Sequence, residues 1–183
     1  MEDKASPTDA QLITKALSGN QMAYRQLVLR YESRVAATVI GMLGYCPEAE
    51  DVGQETFIRF FKSMERFRGD SSVGTYITRI AINLSLNELK KRKRRNLFLQ
   101  DKPIEDIQVS DESGAFVKME NRDYINKALM LLNEKDRAVI LLRLSEGCST
   151  EETATILDMP IGSVLSRLSR AQKKLKELVK VYL

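Results

Sequence analysis

Apolar side chains recur along most of this chain at steps of three and four, the period of a helix buried on one face. The longest such series runs Tyr24, Leu27, Val28, Tyr31, Val35, Val39, Met42, with Asn20 placed to cap it and Gly44 to close it. A shorter helix is predicted before it, over 9–17, ending near Gly19. Pro47 suits the opening of a third helix. Its first turn carries Glu48, Glu50 and Asp51, where acids favour the helix dipole. The inner face of that helix is Val52, Phe57, Phe60, Phe61 and Met64. The stretch GDSSVG, 69–74, reads as a loop. From Thr75 a fourth helix passes through Ile77, Ile80, Ala81, Leu84 and Leu89 into an unbroken basic run at 90–95.

The period is lost over 96–119, which holds Pro103, Gly114 and scattered acids; this is expected to be a flexible linker, partly disordered. It returns with Tyr124, Ala128, Leu131 and Leu132. Asn133 can cap the next helix, EKDRAVILLRLSEG, which Gly147 ends. In STEETATILDMPIGSVLSRLSRAQKKLK, 149–176, Ser149 and Glu152 have capping-box spacing. The first helix there ends near Leu157. Leu157, Asp158 and Met159 make a turn, and Pro160 suits the first turn of a second helix. In that second helix Val164, Leu168, Ala171 and Leu175 form a buried stripe, while Ser163, Ser166, Arg167, Arg170, Lys173 and Lys174 fall on other faces. This is a helix-turn-helix able to offer serines and cations to a major groove. No segment asks to be a strand. The expected fold is all-α, with two small helical domains, 1–95 and 120–183, joined by the linker 96–119.

Charge supports a polyanionic partner through its placement more than its sum. The formal net charge is only +4. Residues 1–95 carry 16 Lys and Arg against 11 Asp and Glu, 96–119 carry 2 against 5, and 120–183 carry 11 against 9. Two basic blocks thus flank an acidic one, and 161–183 holds six basic residues and one acid. There is no histidine, which removes the usual general base and the commonest metal ligand. With no glycine-rich phosphate loop and no metal-ligand spacing either, an enzyme is disfavoured, and neither metal nor cofactor is expected. Cys46 and Cys148 lie far apart, outside any CxxC pattern; they read as buried structural thiols, with redox sensing the alternative, in a reducing cytoplasm. The N-terminus is not a signal peptide and no apolar run reaches transmembrane length, so no membrane insertion is expected.

Three segments, in order, resemble one family. AEDVGQETFIRFF (49–61), TYITRIAINLSLNELKKRKRR (75–95) and LMLLNEKDRAVILLRLSEGCSTEETATILDMPIGSVLSRLSRAQKKL (129–175) are similar to regions 2.2, 2.3–2.4 and 4 of bacterial RNA polymerase sigma factors of the extracytoplasmic-function type, within the sigma-70 family. The resemblance implies a transcription initiation factor that binds core RNA polymerase, through the β′ clamp coiled coil and the β subunit, and directs it to promoter DNA. It implies that Asp51, Gln54, Glu55, Ile58 and Lys62 dock on the polymerase. Ser71, Ser72, Tyr76, Arg79, Asn83, Asn87, Lys90, Lys91 and Arg92 would serve the −10 element, its melting and the adjoining duplex. Ser163, Ser166, Arg167, Arg170 and Lys173 would read the −35 element, with Arg167 the foremost candidate for guanine. An anti-sigma factor is a further implied partner. The chain departs from the family pattern at four positions. Gly53 replaces a larger residue and Val73 a common aromatic. Tyr76 stands for Trp, and its spacing from Ile80 also fits a core position. Leu165 stands where Lys or Arg is usual. The alternative is a helix-turn-helix regulator that binds duplex DNA without joining the polymerase; it would leave 49–61 and the −10-like helix unexplained.

Overall fold

The structure, a computed structural model, describes residues 6–99 and 121–180. Its elements there are helical throughout: α1 (Asp9–Leu17), α2 (Gln21–Leu43), α3 (Pro47–Ser63), α4 (Val73–Leu99), α5 (Asn121–Met130), α6 (Glu134–Ile140), α7 (Thr150–Leu157) and α8 (Ile161–Lys180). The expected linker falls mostly outside the described residues, and 96–99 complete the last turn of α4.

The predicted caps form. Asn20 accepts a hydrogen bond from the Ala23 N–H at 3.1 Å, Asn133 from Asp136, and Ser149 and Glu152 close a capping box. In the first module α1, α3 and α4 surround α2. Leu27, Val39, Met42, Phe60, Ile77 and Ile82 are almost wholly buried there, the burial that drives the assembly. Tyr76 packs edge-on against Phe60 and Phe67, with centroids 6.3 and 5.2 Å away, at the rim of this core. Phe61, expected inside, is 50 % exposed and leans on Tyr24.

Helix α4 starts two residues earlier than the sequence suggests. Ser72 caps it by accepting from the Thr75 N–H at 3.0 Å. Gly74 lies inside the first turn, pressed on α2 so closely that a Cβ would meet the Arg34 guanidinium and the Tyr31 ring. The close approach, not a turn, is why glycine stands there.

In the second module α6 does not run on as one α-helix to Gly147. It widens into a π turn, Leu141–Ser145, and the successive residues Leu141 and Leu142 are both buried. Asp158 takes the left-handed conformation (φ 48°) that turns α7 into α8, a conformation short polar side chains tolerate. Pro160 sits one residue before α8, its carbonyl accepting from the Ser163 and Val164 N–H groups. Val164 and Ala171 are buried and Leu168 and Leu175 partly so, as their spacing requires.

The two modules pack on each other. Leu141 lies against Gly41, where a Cβ would come within 2.8 Å of it. The buried Arg137 guanidinium donates to the carbonyls of Met130 and Leu132, both at 2.9 Å, and of Met42 across the junction. Glu146, its side chain 6 % exposed, accepts from Arg34 Nε, from Thr38 Oγ1 at 2.8 Å and from Thr78 Oγ1 at 3.1 Å. All three donors belong to the first module.

Candidate functional site

Helix α3 brings its predicted residues together. Asp51, Gln54, Ile58 and Lys62 are exposed on one side, with Glu55 half-buried among them. Glu55 accepts from Arg59 at 2.8 Å, and that bond holds its carboxyl below the usual carboxylate range, so the patch stays charged. Phe61 extends this face: it lies one turn beyond Ile58, which is 47 % exposed. Apolar character assigns Phe61 to the core, whereas its three-residue step from Ile58 signals this exposed face. Beside the patch, α2 and α3 leave a groove of about 490 Å³ lined by Val28, Val35, Phe57, Gly53 and Gln54. A side chain at Gly53 would meet nothing there, so the departure at this position opens the groove.

Along α4, Arg79, Asn83, Asn87 and Lys90 are exposed at steps of four and three, one continuous stripe. Ser72 is used as a cap and Ser71 is half-buried beside it. Val73 is buried and offers no face for stacking. The basic run is not uniformly available. Arg92 donates to Glu48 at 3.1 Å and to Cys46 Sγ at 2.9 Å. Lys91 pairs with Glu88, Arg95 reaches Glu48, and Lys93 crosses the module junction to Glu134 at 2.9 Å. Among the described residues Lys90 and Arg94 carry no ion pair.

On α8, Ser166, Arg170 and Lys173 are exposed and Ser163 is half-buried. Ser166 Oγ donates to the Ser163 carbonyl at 3.1 Å and Arg170 Nε to the Ser166 carbonyl at 3.3 Å. Arg167 turns toward α6 and donates from Nη1 to Asp136 at 2.7 Å, with its side chain 28 % exposed. That leaves Nε and Nη2 of the planar fork to donate elsewhere.

The module junction brings the α4 stripe and the α7–α8 turn near each other. A cleft of about 400 Å³ is lined by Asn83, Asn87 and Lys90 on one wall and by Glu134, Leu157 and Met159 on the other. The α7–α8 turn therefore overlooks the α4 stripe. Among the described residues no group of three His, Cys, Asp or Glu side chains could hold a metal ion, and no helix is long and apolar enough to cross a membrane. Cys148 is buried and burial pushes its thiol up; Cys46 is half-buried, and both are free.

The comparisons follow the same division. The profile of Sigma-70 region 2 matches residues 27–95, and that of Sigma-70, region 4 matches residues 122–175. The RNA polymerase sigma-H factor of Pseudomonas aeruginosa is 32 % identical over 176 residues, covering 90 % of each chain. The ECF RNA polymerase sigma-E factor of Escherichia coli K12 is 33 % identical over 183 residues, covering 94 % of each. Among solved structures, the sigma factor RpoE of Bartonella quintana, in complex with the anti-sigma factor NepR, superposes with a TM-score of 0.68. It is 26 % identical, with 86 % of this chain and 97 % of that one covered. CnrH, in complex with the cytosolic domain of CnrY, gives a TM-score of 0.64 at 26 % identity over 94 % of this chain and 97 % of that one. With both modules matched in order and relatives similar over nearly their full length, the chain belongs to the sigma-70 family, as a factor of the extracytoplasmic-function type.

Proposed function

We infer that this protein joins core RNA polymerase and directs it to promoters with −35 and −10 elements, assisting their melting. The observation that carries this is the pairing, in one chain, of an exposed carboxylate patch on α3 with an outward-facing basic helix in a helix-turn-helix. A regulator that bound duplex DNA alone would need only the second. The factor performs no covalent chemistry; it works by binding, in the cytoplasm.

Asp51, Gln54 and Glu55 suit charge-assisted hydrogen bonds to a basic surface, here the β′ clamp coiled coil, with Ile58 and Phe61 supplying apolar contact and Lys62 closing the patch. The β subunit is the second polymerase contact. On α4, Asn83 and Asn87 can pair with base edges, and Arg79 and Lys90 with phosphates. Tyr76 offers an aromatic edge at the rim of its core contacts, beside Ser71 and Ser72. Lys91 and Arg92 reach duplex phosphates on exchanging their present carboxylates for them. On α8, Ser163, Ser166, Arg170 and Lys173 face the −35 element, and Arg167 reads with the donors that Asp136 leaves open.

Because the α7–α8 turn overlooks Asn83, Asn87 and Lys90, promoter contact at −10 requires the modules to part. The packed arrangement is the form an anti-sigma partner would keep from polymerase. One neighbouring structure holds RpoE with the anti-sigma factor NepR, and another holds CnrH with the cytosolic domain of CnrY. Multi-round transcription with purified core polymerase tests the function: transcript from a cognate promoter must depend on this chain. Duplex binding with no association to core would favour the regulator.

A further inference from the structure

We propose that Leu165, supported by Ile161 one turn before it, reads a thymine C5-methyl group in the −35 element. The proposal rests on the assignment of α8 to the major groove and adds a base identity to it. Leu165 is 53 % exposed and Ile161 47 % exposed, and their four-residue step stacks them on one side of α8. That side is not the one packed against the protein, which carries Val164 and Ala171. Leu165 stands instead beside Ser166 and Ser169, both exposed, with Arg170 and Lys173 further along the helix.

Single exposed leucines are ordinary on protein surfaces. This pair differs in where it lies. It occupies the first turns of the recognition helix, the part that meets base edges in this motif. Gly162, between the two, has open space where a Cβ would project, so nothing at that point holds the helix start away from a surface. The six basic residues and single acid of 161–183 favour a polyanion as the occupant.

Within the major groove the chemistry is narrow. A leucine side chain has no donor for guanine or for phosphate. Thymine alone presents a methyl group there, and apolar side chains contact it.

The test uses holoenzyme assembled from the full chain and core polymerase. A −35 element is first selected from a randomised library, and each selected thymine is then replaced singly by deoxyuridine, which removes only the methyl. One replacement is expected to weaken binding of the wild-type holoenzyme about three- to tenfold, the scale of one buried methyl group. Leu165→Ala should bind the thymine promoter as weakly as wild type binds the uridine promoter, and should not distinguish the two. Because Leu165 is exposed, this variant should melt like the wild type. Selected elements without thymine, indifference of the wild type to every uridine, or a uridine penalty that persists in Leu165→Ala would each overturn the methyl contact. Loss of −35 preference in Arg170→Ala alongside any of these results would leave the groove assignment standing while the methyl contact fails. Failure of the library to yield any −35 preference would overturn both.

Discussion

The carboxylate of Glu146 is where the packed form is most open to test. It lies in the second module, 6 % exposed, and every donor it accepts from lies in the first: Arg34, Thr38 and Thr78. Glu146→Gln keeps the volume and removes the charge. Hydrogen bonds to a charged group contribute about 1.5–3 kcal/mol, and breaking a buried ion pair costs about 3–5 kcal/mol. The Arg34 side chain is 33 % exposed, so solvent screens the loss, and the two threonine hydroxyls can turn to meet the amide. About 2 kcal/mol remains, which shifts the balance from packed to parted modules roughly 30-fold at 1.4 kcal/mol per decade. Spin labels at the exposed positions Gln21 and Thr155 report the separation directly. The wild-type chain should give one short, narrow distance distribution and the variant a longer, broader one. The variant should also bind single-stranded −10 DNA more tightly in the absence of polymerase. An unchanged distance distribution in Glu146→Gln and Glu146→Ala alike would show that Glu146 does not hold the modules together.

Reversing Asp51 and Glu55 to Lys should weaken core polymerase binding at least 100-fold, on the order of 1.5–3 kcal/mol per charge-assisted contact, while −35 duplex binding by the same chain is kept. Core binding that survives the reversal would move the docking surface off α3. Arg137→Met orphans the carbonyls of Met42, Met130 and Leu132 and should cost about 3 kcal/mol in denaturant unfolding; an unchanged midpoint would contradict the stapling role. The Tyr24 hydroxyl donates to the Phe57 carbonyl at 2.7 Å, and burial raises its pKa to about 12. Its contribution to stability is therefore full below pH 10 and lost as pH rises through 12. Tyr31, raised to about 12 by burial and by its hydrogen bond to Asp9, acts in the same direction. Thermal melts across that window should show a steep loss that Tyr24→Phe reduces but does not abolish.

Local features were legible in the sequence because they are set by near neighbours. The caps at Asn20, Asn133 and Ser149, the helix opened by Pro47 and the apolar stripe of α8 each depend on residues within a few turns. What escaped the sequence depends on partners far away along the chain. Gly74 looked like part of a loop because its reason, contact with Arg34 and Tyr31, lies some forty residues back on α2. Nothing near them in the sequence marks Glu146 and Arg137, because Glu146 finds its donors, and Arg137 one of its three carbonyls, across the module junction. The basic run at 90–95 looked like one phosphate grip, whereas Glu48, Glu88 and Glu134 already claim much of it. Periodicity reveals that a helix has an apolar face. It does not say which other face meets it, or whether a cation on the remaining side finds a carboxylate there first.

Transcription from a single cognate promoter by purified core RNA polymerase, with and without this chain, tests the function most directly. A sigma-factor role predicts a specific transcript only when the chain is present, and its disappearance when Asp51 and Glu55 are reversed to Lys. Equal transcript without the chain, or a full yield from the reversed variant, would contradict it.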